Sequence, residues 1–198
     1  PHFEGILERS FNRNNPDEAE LSRFPIDVSR KVNVDIDCMD DCWLLFADTS
    51  FSTMNPDGDE IFSVYLPYTN PIVEATSKRA LVYDMGGYNF SVVNRKSEVF
   101  SKKLENQILF ASVGEKGNVA VVTSTDKYQS YLTVYDKNGT EIYHWADGNL
   151  ITAVTLDDSG SKALVSSVYA VGGGFKSAIS ILDFSKTEIV AKTSPIET

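Results

Sequence analysis

The stretch from Ile108 to Trp145 carries four short runs rich in Val, Ile, Tyr, Thr and Phe, with turn residues in every gap. The runs are Ile108 to Gly114, Gly117 to Thr123, Ser130 to Asp136 and Thr140 to Trp145. β-Branched and aromatic runs about ten residues apart, broken by Gly, Asn, Asp and Ser, read as antiparallel strands joined by tight turns. They make one four-stranded sheet of roughly 40 residues, and the sequence on both sides repeats the pattern.

The repeats superpose at particular residues. The third runs end in Met54-Asn55, Val93-Asn94, Tyr135-Asp136 and Leu182-Asp183, and the fourth runs open with Glu60-Ile61, Glu98-Val99, Glu141-Ile142 and Glu188-Ile189. Asn and Asp recur there because their side chains bond the backbone two residues on and start a turn. The second runs superpose as Ala80-Leu81-Val82, Ala120-Val121-Val122 and Ala163-Leu164-Val165, with Ala75, Ala111 and Ala153 at one place in the first runs. A recurring four-strand unit of this length is the signature of a propeller blade. The expectation is an all-β, propeller-like array of four four-stranded antiparallel blades, at about residues 31–66, 71–104, 108–146 and 151–194. Residues 31–194 form this domain. Residues 1–30 read as a leader or linker with short helical turns, because Phe3, Ile6, Leu7 and Phe11 fall near helical spacing and Asn15-Pro16-Asp17-Glu18 is a helix start.

A blade buries both faces against neighbours, so four blades in a row leave two apolar end faces bare. The array therefore closes as a compact four-blade ring, pairs with a second copy as a homodimer, or is completed as a larger ring by a missing half.

Two motifs carry a family resemblance. Asp157-Asp-Ser-Gly-Ser-Lys-Ala-Leu-Val165 resembles the loop and strand of WD40-like propellers, and Val134-Tyr-Asp-Lys-Asn-Gly-Thr-Glu-Ile-Tyr143 resembles a hairpin of quinoprotein-like (PQQ-like repeat) propellers. Tyr68-Thr-Asn-Pro71, Ala80 to Gly87 and Val134 to Gly139 are similar to an uncharacterised family of clostridial proteins. The resemblance spans about residues 24 to 194. It implies an extracytoplasmic propeller anchored to the cell membrane by a segment absent from this chain, with no established activity.

The formal net charge of -10, from 28 acidic and 18 basic residues, repels phosphate backbones and sets nucleic acid aside as a partner. Apolar runs such as Trp43 to Ala47 fall far short of the ~20 residues that span a bilayer. Pro1 in place of an initiator Met points to a processed product or a cut segment.

Candidate chemistry is sparse, and neither catalytic, cofactor-binding nor metal-ligating residues are assigned. Cys38 and Cys42 lack a second pair or a nearby His for zinc and read as reduced thiols, with a local disulfide open. His144 reads as structural, and His2 lies in the leader. Asp35, Asp37, Asp40 and Asp41 offer oxygen ligands without the central Gly of a calcium loop. Gly172 to Gly174 reads as a flexible connection. Tyr65, Tyr68, Tyr83, Tyr88, Tyr128 and Tyr169 fall near strand ends or in loops, where exposed aromatics can form a recognition surface, although packing between blades is the weightier reading for any one of them. The leading functional expectation is a non-catalytic extracytoplasmic module that binds protein or a cell-envelope polymer through its loops. The rivals are a glycan- or peptide-acting hydrolase or lyase using loop carboxylates such as Asp84 and Asp126, and a structural segment of a larger surface protein.

Overall fold

The computed structural model describes residues 26–28, 31, 34–187, 189–193 and 196–197. The helical turns expected within residues 1–25 lie outside the described residues. Sheet 1 comprises β1 (Asp35–Met39), β2 (Cys42–Ala47), β3 (Ser50–Met54) and β4 (Glu60–Tyr65), and sheet 2 comprises β5 (Pro71–Ala75), β6 (Ala80–Asp84), β7 (Asn89–Val93) and β8 (Glu98–Lys103). Sheet 3 holds β9 (Ile108–Val113), β10 (Val119–Thr123), β11 (Ser130–Tyr135) and β12 (Glu141–Asp147). Sheet 4 holds β13 (Leu150–Leu156), β14 (Lys162–Val171), β15 (Gly174–Asp183) and the short β16 (Ala191–Lys192), with β17 (Ile196–Glu197) also paired to β15. Every pairing is antiparallel and each sheet runs in chain order. The all-β, four-sheet expectation holds.

The turns form for the reason the sequence suggests. Asn55 Oδ1 accepts the amides of Asp57 and Asp59, and Asn94 Oδ1 those of Lys96 and Ser97. Asp136 Oδ1 accepts those of Asn138 and Thr140, and Asp183 Oδ1 that of Ser185. One Asx residue thus opens the third-to-fourth-strand hairpin of every sheet. Gly139 closes its hairpin at φ +83°, and a Cβ there would lie 2.8 Å from the Phe100 ring of sheet 2.

The register corrects one part of the superposition. Ala80 pairs with Val93, Val119 with Tyr135 and Ala163 with Leu182. Val119, rather than Ala120, is therefore the counterpart of Ala80 and Ala163. A one-residue offset reverses the face a side chain occupies, so Ala120 packs toward sheet 4 while Ala80 packs toward sheet 1. Ala75 pairs with Ala80, whereas Ala111 pairs with Val121 and Ala153 with Ser166, so these three alanines do not share a place.

Three apolar cores join consecutive sheets. Leu44, Phe46 and Phe51 meet Ala80, Val82 and Val93 between sheets 1 and 2. Leu81 and Phe90 meet Val119 and Val121 between sheets 2 and 3, and Leu132 and Val134 meet Ile151 and Val165 between sheets 3 and 4. Every residue of β6 and β10 is buried, because these strands are covered on both faces. Among the described residues no core joins sheets 1 and 4, and their outer faces expose Ile36, Trp43, Leu164, Ile179 and Ile181. The compact four-blade ring is not formed: four sheets packed in sequence make an open array with two apolar end faces.

Candidate functional site

Where sheet 1 packs on sheet 2, three turns converge on a cleft of about 570 Å³. The β1–β2 turn contributes Asp40 and Asp41, the β5–β6 turn Ser77, Lys78 and Arg79, and the β7–β8 turn Asn94, Arg95, Lys96 and Ser97. Specific bonds fix the walls. The Asp40 amide donates to the Ser77 carbonyl at 3.1 Å, and the buried Thr53 hydroxyl donates to the Arg95 carbonyl at 2.7 Å. Arg95 pairs with Asp41 through Nη1, while Arg79 Nη1 donates to the Lys78 carbonyl at 3.0 Å. Ser77 Oγ donates to Glu115 Oε2 at 2.7 Å, tying the cleft to sheet 3. The Nε groups of Arg79 and Arg95 are enclosed without an acceptor. The cleft thus presents four cations and two carboxylates, chemistry suited to a ligand that carries charges of both signs.

Two further depressions mark the surface of the first two sheets. A groove of about 370 Å³ runs between the outer strands of sheets 1 and 2, past Tyr65, Asn89, Glu98, Ser101 and Lys103. An apolar trough of about 600 Å³ lies on the outer face of sheet 1, lined by Ile26, Val28, Val34, Ile36, Trp43 and Leu45.

The residues singled out in the sequence scatter. Tyr83 is buried, and Tyr68 is buried with its hydroxyl 3.0 Å from Ser91 Oγ; burial pushes both phenols up in pKa. Tyr65, Tyr88 and Tyr128 are exposed, and Tyr169 is half-buried. Asp84 is buried, and its Oδ1 accepts the amides of Thr69 at 3.0 Å and Asn70 at 2.8 Å, so this carboxylate holds the link between sheets 1 and 2. Gly87 lies against it: a Cβ there would fall 2.1 Å from Asp84 Oδ2. His144 stacks on Tyr131 and bonds Glu141 on the exposed side of β12. Both cysteines are free thiols, Cys38 exposed and Cys42 buried. Among the described residues no three His, Cys, Asp or Glu side chains gather into a metal-holding set. Gly172 and Gly173 form the β14–β15 turn at positive φ.

A profile for a family of unknown function, DUF5711, matches residues 23–194. The chain belongs to that family. No curated protein matches the sequence. Among solved structures, the chain is similar to KlHsv2 carrying a Gly-Ser linker in place of loop 6CD, with 13% identity, 76% of this chain and 50% of that chain covered, and a TM-score of 0.55. It is also similar to a eukaryotic initiation factor, at 10% identity, 85% and 43% coverage and a TM-score of 0.58. A third similarity is to BBS1N in complex with ARL6DN, at 12% identity, 84% and 57% coverage and a TM-score of 0.53. The DUF5711 chain therefore has a propeller-like fold of four antiparallel sheets and spans about half the length of the solved structures it is similar to.

Proposed function

We propose that the chain is a non-catalytic interaction module that recognises a protein or cell-envelope polymer at the end carrying the β1–β2, β5–β6 and β7–β8 turns. The observation that carries this reading is the cleft between sheets 1 and 2, where Lys78, Arg79, Arg95 and Lys96 gather beside Asp40 and Asp41 on a chain of net charge -10. Concentrating four cations there gives one end of an acidic molecule a distinct recognition chemistry. The mixed charge favours a peptide segment bearing both carboxylate and ammonium groups, whether from a protein or from the stem peptides of a wall polymer. The neighbour solved as BBS1N in complex with ARL6DN is an example of this fold in a protein complex. Propellers host many functions, so the fold alone does not choose among them.

The resemblance to clostridial membrane-anchored proteins supports an extracytoplasmic location, with the module held at the membrane by a segment outside this chain. As for the hydrolase reading, the Asp84 carboxylate is engaged by the Thr69 and Asn70 amides, which favours a structural role for it.

The test is co-sedimentation with purified cell-wall sacculi, in parallel with photocrosslinking to envelope proteins from residue 96. Capture in either assay, weakened by salt and lost in an Arg79→Ala, Arg95→Ala double variant, is expected. Failure of both, or capture indifferent to the double variant, contradicts the proposal.

A further inference from the structure

The four sheets share one pairing register, so positions can be matched from sheet to sheet. Trp43 pairs with Met54 where Ala80 pairs with Val93, Val119 with Tyr135 and Ala163 with Leu182. Those last three pairs are buried on the face turned toward the preceding sheet. Trp43 holds that place on sheet 1, where no described sheet precedes it, and is 48% exposed, whereas its partner Met54 is 7% exposed in the trough that Ile26 and Val28 also line. On the opposite face, Leu164 pairs with Ile181 where Leu81 pairs with Val92 and Ala120 with Val134. These latter four are fully buried against the following sheet, whereas Leu164 and Ile181 are 45% and 37% exposed. The two end faces are thus the two halves of one more inter-sheet junction.

The halves also fit by size. At the junction of sheets 1 and 2, the large Phe46 and Phe51 meet the small Ala80 and Val82. At the ends the order is reversed. Trp43 stands where Ala80 and Ala163 stand in other sheets, and sheet 4 carries Ser166 at the position Phe46 holds in sheet 1. A large residue on the first sheet and a small one on the last favour joining these two faces to each other over joining either to a copy of itself.

We propose that two copies of this chain associate head to tail, sheet 4 of each covering sheet 1 of the other, to close an eight-sheet ring about a two-fold axis. Leu164, Ile179 and Ile181 of one copy fill the trough of about 600 Å³ beside Trp43 of its partner. Eight sheets fall within the four to eight blades typical of propellers. The four sheets cover 50% of KlHsv2 and 57% of BBS1N, which leaves room in a fold of that size for a second set of four, and two copies joined head to tail close without free ends.

The test is light scattering on the whole chain, with single variants Trp43→Asp and Ile181→Asp and the milder Leu164→Ser, their folding checked by far-ultraviolet circular dichroism. The wild type is expected at twice the chain mass of 21.9 kDa, with each charged variant at least tenfold weaker in association. Mixing the two charged variants leaves one intact junction per pair and restores heterodimers, read by native mass spectrometry. A wild-type monomer at every concentration, an open-ended series of masses, or a dimer lost in Trp43→Asp but untouched by Ile181→Asp overturns the proposal.

Discussion

Thr53, on the third strand of sheet 1, donates its hydroxyl to the backbone carbonyl of Arg95 in sheet 2, 2.7 Å away and 42 residues on. The threonine is fully buried, so the bond joins the core of one sheet to the turn that presents Arg95 to the cleft. Thr53→Val keeps the shape and removes the bond, at an expected cost of about 1 kcal/mol. For a chain of this size that lowers Tm by about 2–4 °C. Thermal denaturation measures it, and hydrogen exchange should show faster opening of the Asn94 to Ser97 turn.

Asp84 plays the corresponding part at the other end of sheet 2. Its carboxylate accepts two amides in the link that enters β5, and hydrogen bonds to a charged group contribute about 1.5–3 kcal/mol. Asp84→Ala should destabilise the fold by about 3 kcal/mol and speed exchange at the Thr69 and Asn70 amides. A stability unchanged by this substitution contradicts the assignment.

How much of this was legible in the sequence differs by kind of residue. Asn55, Asn94, Asp136 and Asp183 announce their hairpins because an Asx turn is local chemistry, complete within five residues or fewer. The offset of Ala120 shows the limit: small and β-branched residues alternate freely on strands buried on both faces, and composition does not say which face each occupies. The cleft was not legible. Asp41, Arg79 and Arg95 are separate turn residues in the chain, and only the packing of sheet 1 on sheet 2 brings them together. In the sequence Asp84 reads as a loop carboxylate, but its burial and its two amide partners are tertiary facts.

Acid should act on the β13–β14 turn. The Ser159 hydroxyl and the amides of Lys162 and Ser161 hold the Asp157 carboxyl down at a pKa of about 2 against 3.8 for the free group. Its contribution is present above pH 3.8 and lost as the pH falls through about 2. Asp157 is nearly fully solvated, so the contribution is below about 1 kcal/mol. Asp157→Asn should flatten the acid limb of the stability profile there. Glu74 runs the other way. Burial, opposed by bonds to Ser112 and Val113, raises its pKa above 4.5, so its folded form prefers the proton and stability falls as pH rises past 4.5. Denaturant midpoints of Glu74→Gln against pH should lose that decline.

The two thiols should separate in rate. Cys42 is 4% exposed, and burial followed by the charge of Asp41 pushes its pKa up, both of which slow a reaction that needs the thiolate. Cys38 is exposed on the end face beside Trp43. In the Ile181→Asp variant, Cys38 should alkylate at least tenfold faster than Cys42. In the wild type its rate should rise on dilution, as the partner sheet leaves.

Hydrogen exchange of the chain with and without solubilised cell-wall peptide fragments tests recognition at the cleft most directly. Slowed exchange is expected at Asp40–Asp41, Ser77–Arg79 and Asn94–Ser97, and is abolished in the Arg79→Ala, Arg95→Ala variant. Protection confined to the opposite end, around Tyr88 and Tyr128, or no protection in any segment, would contradict it.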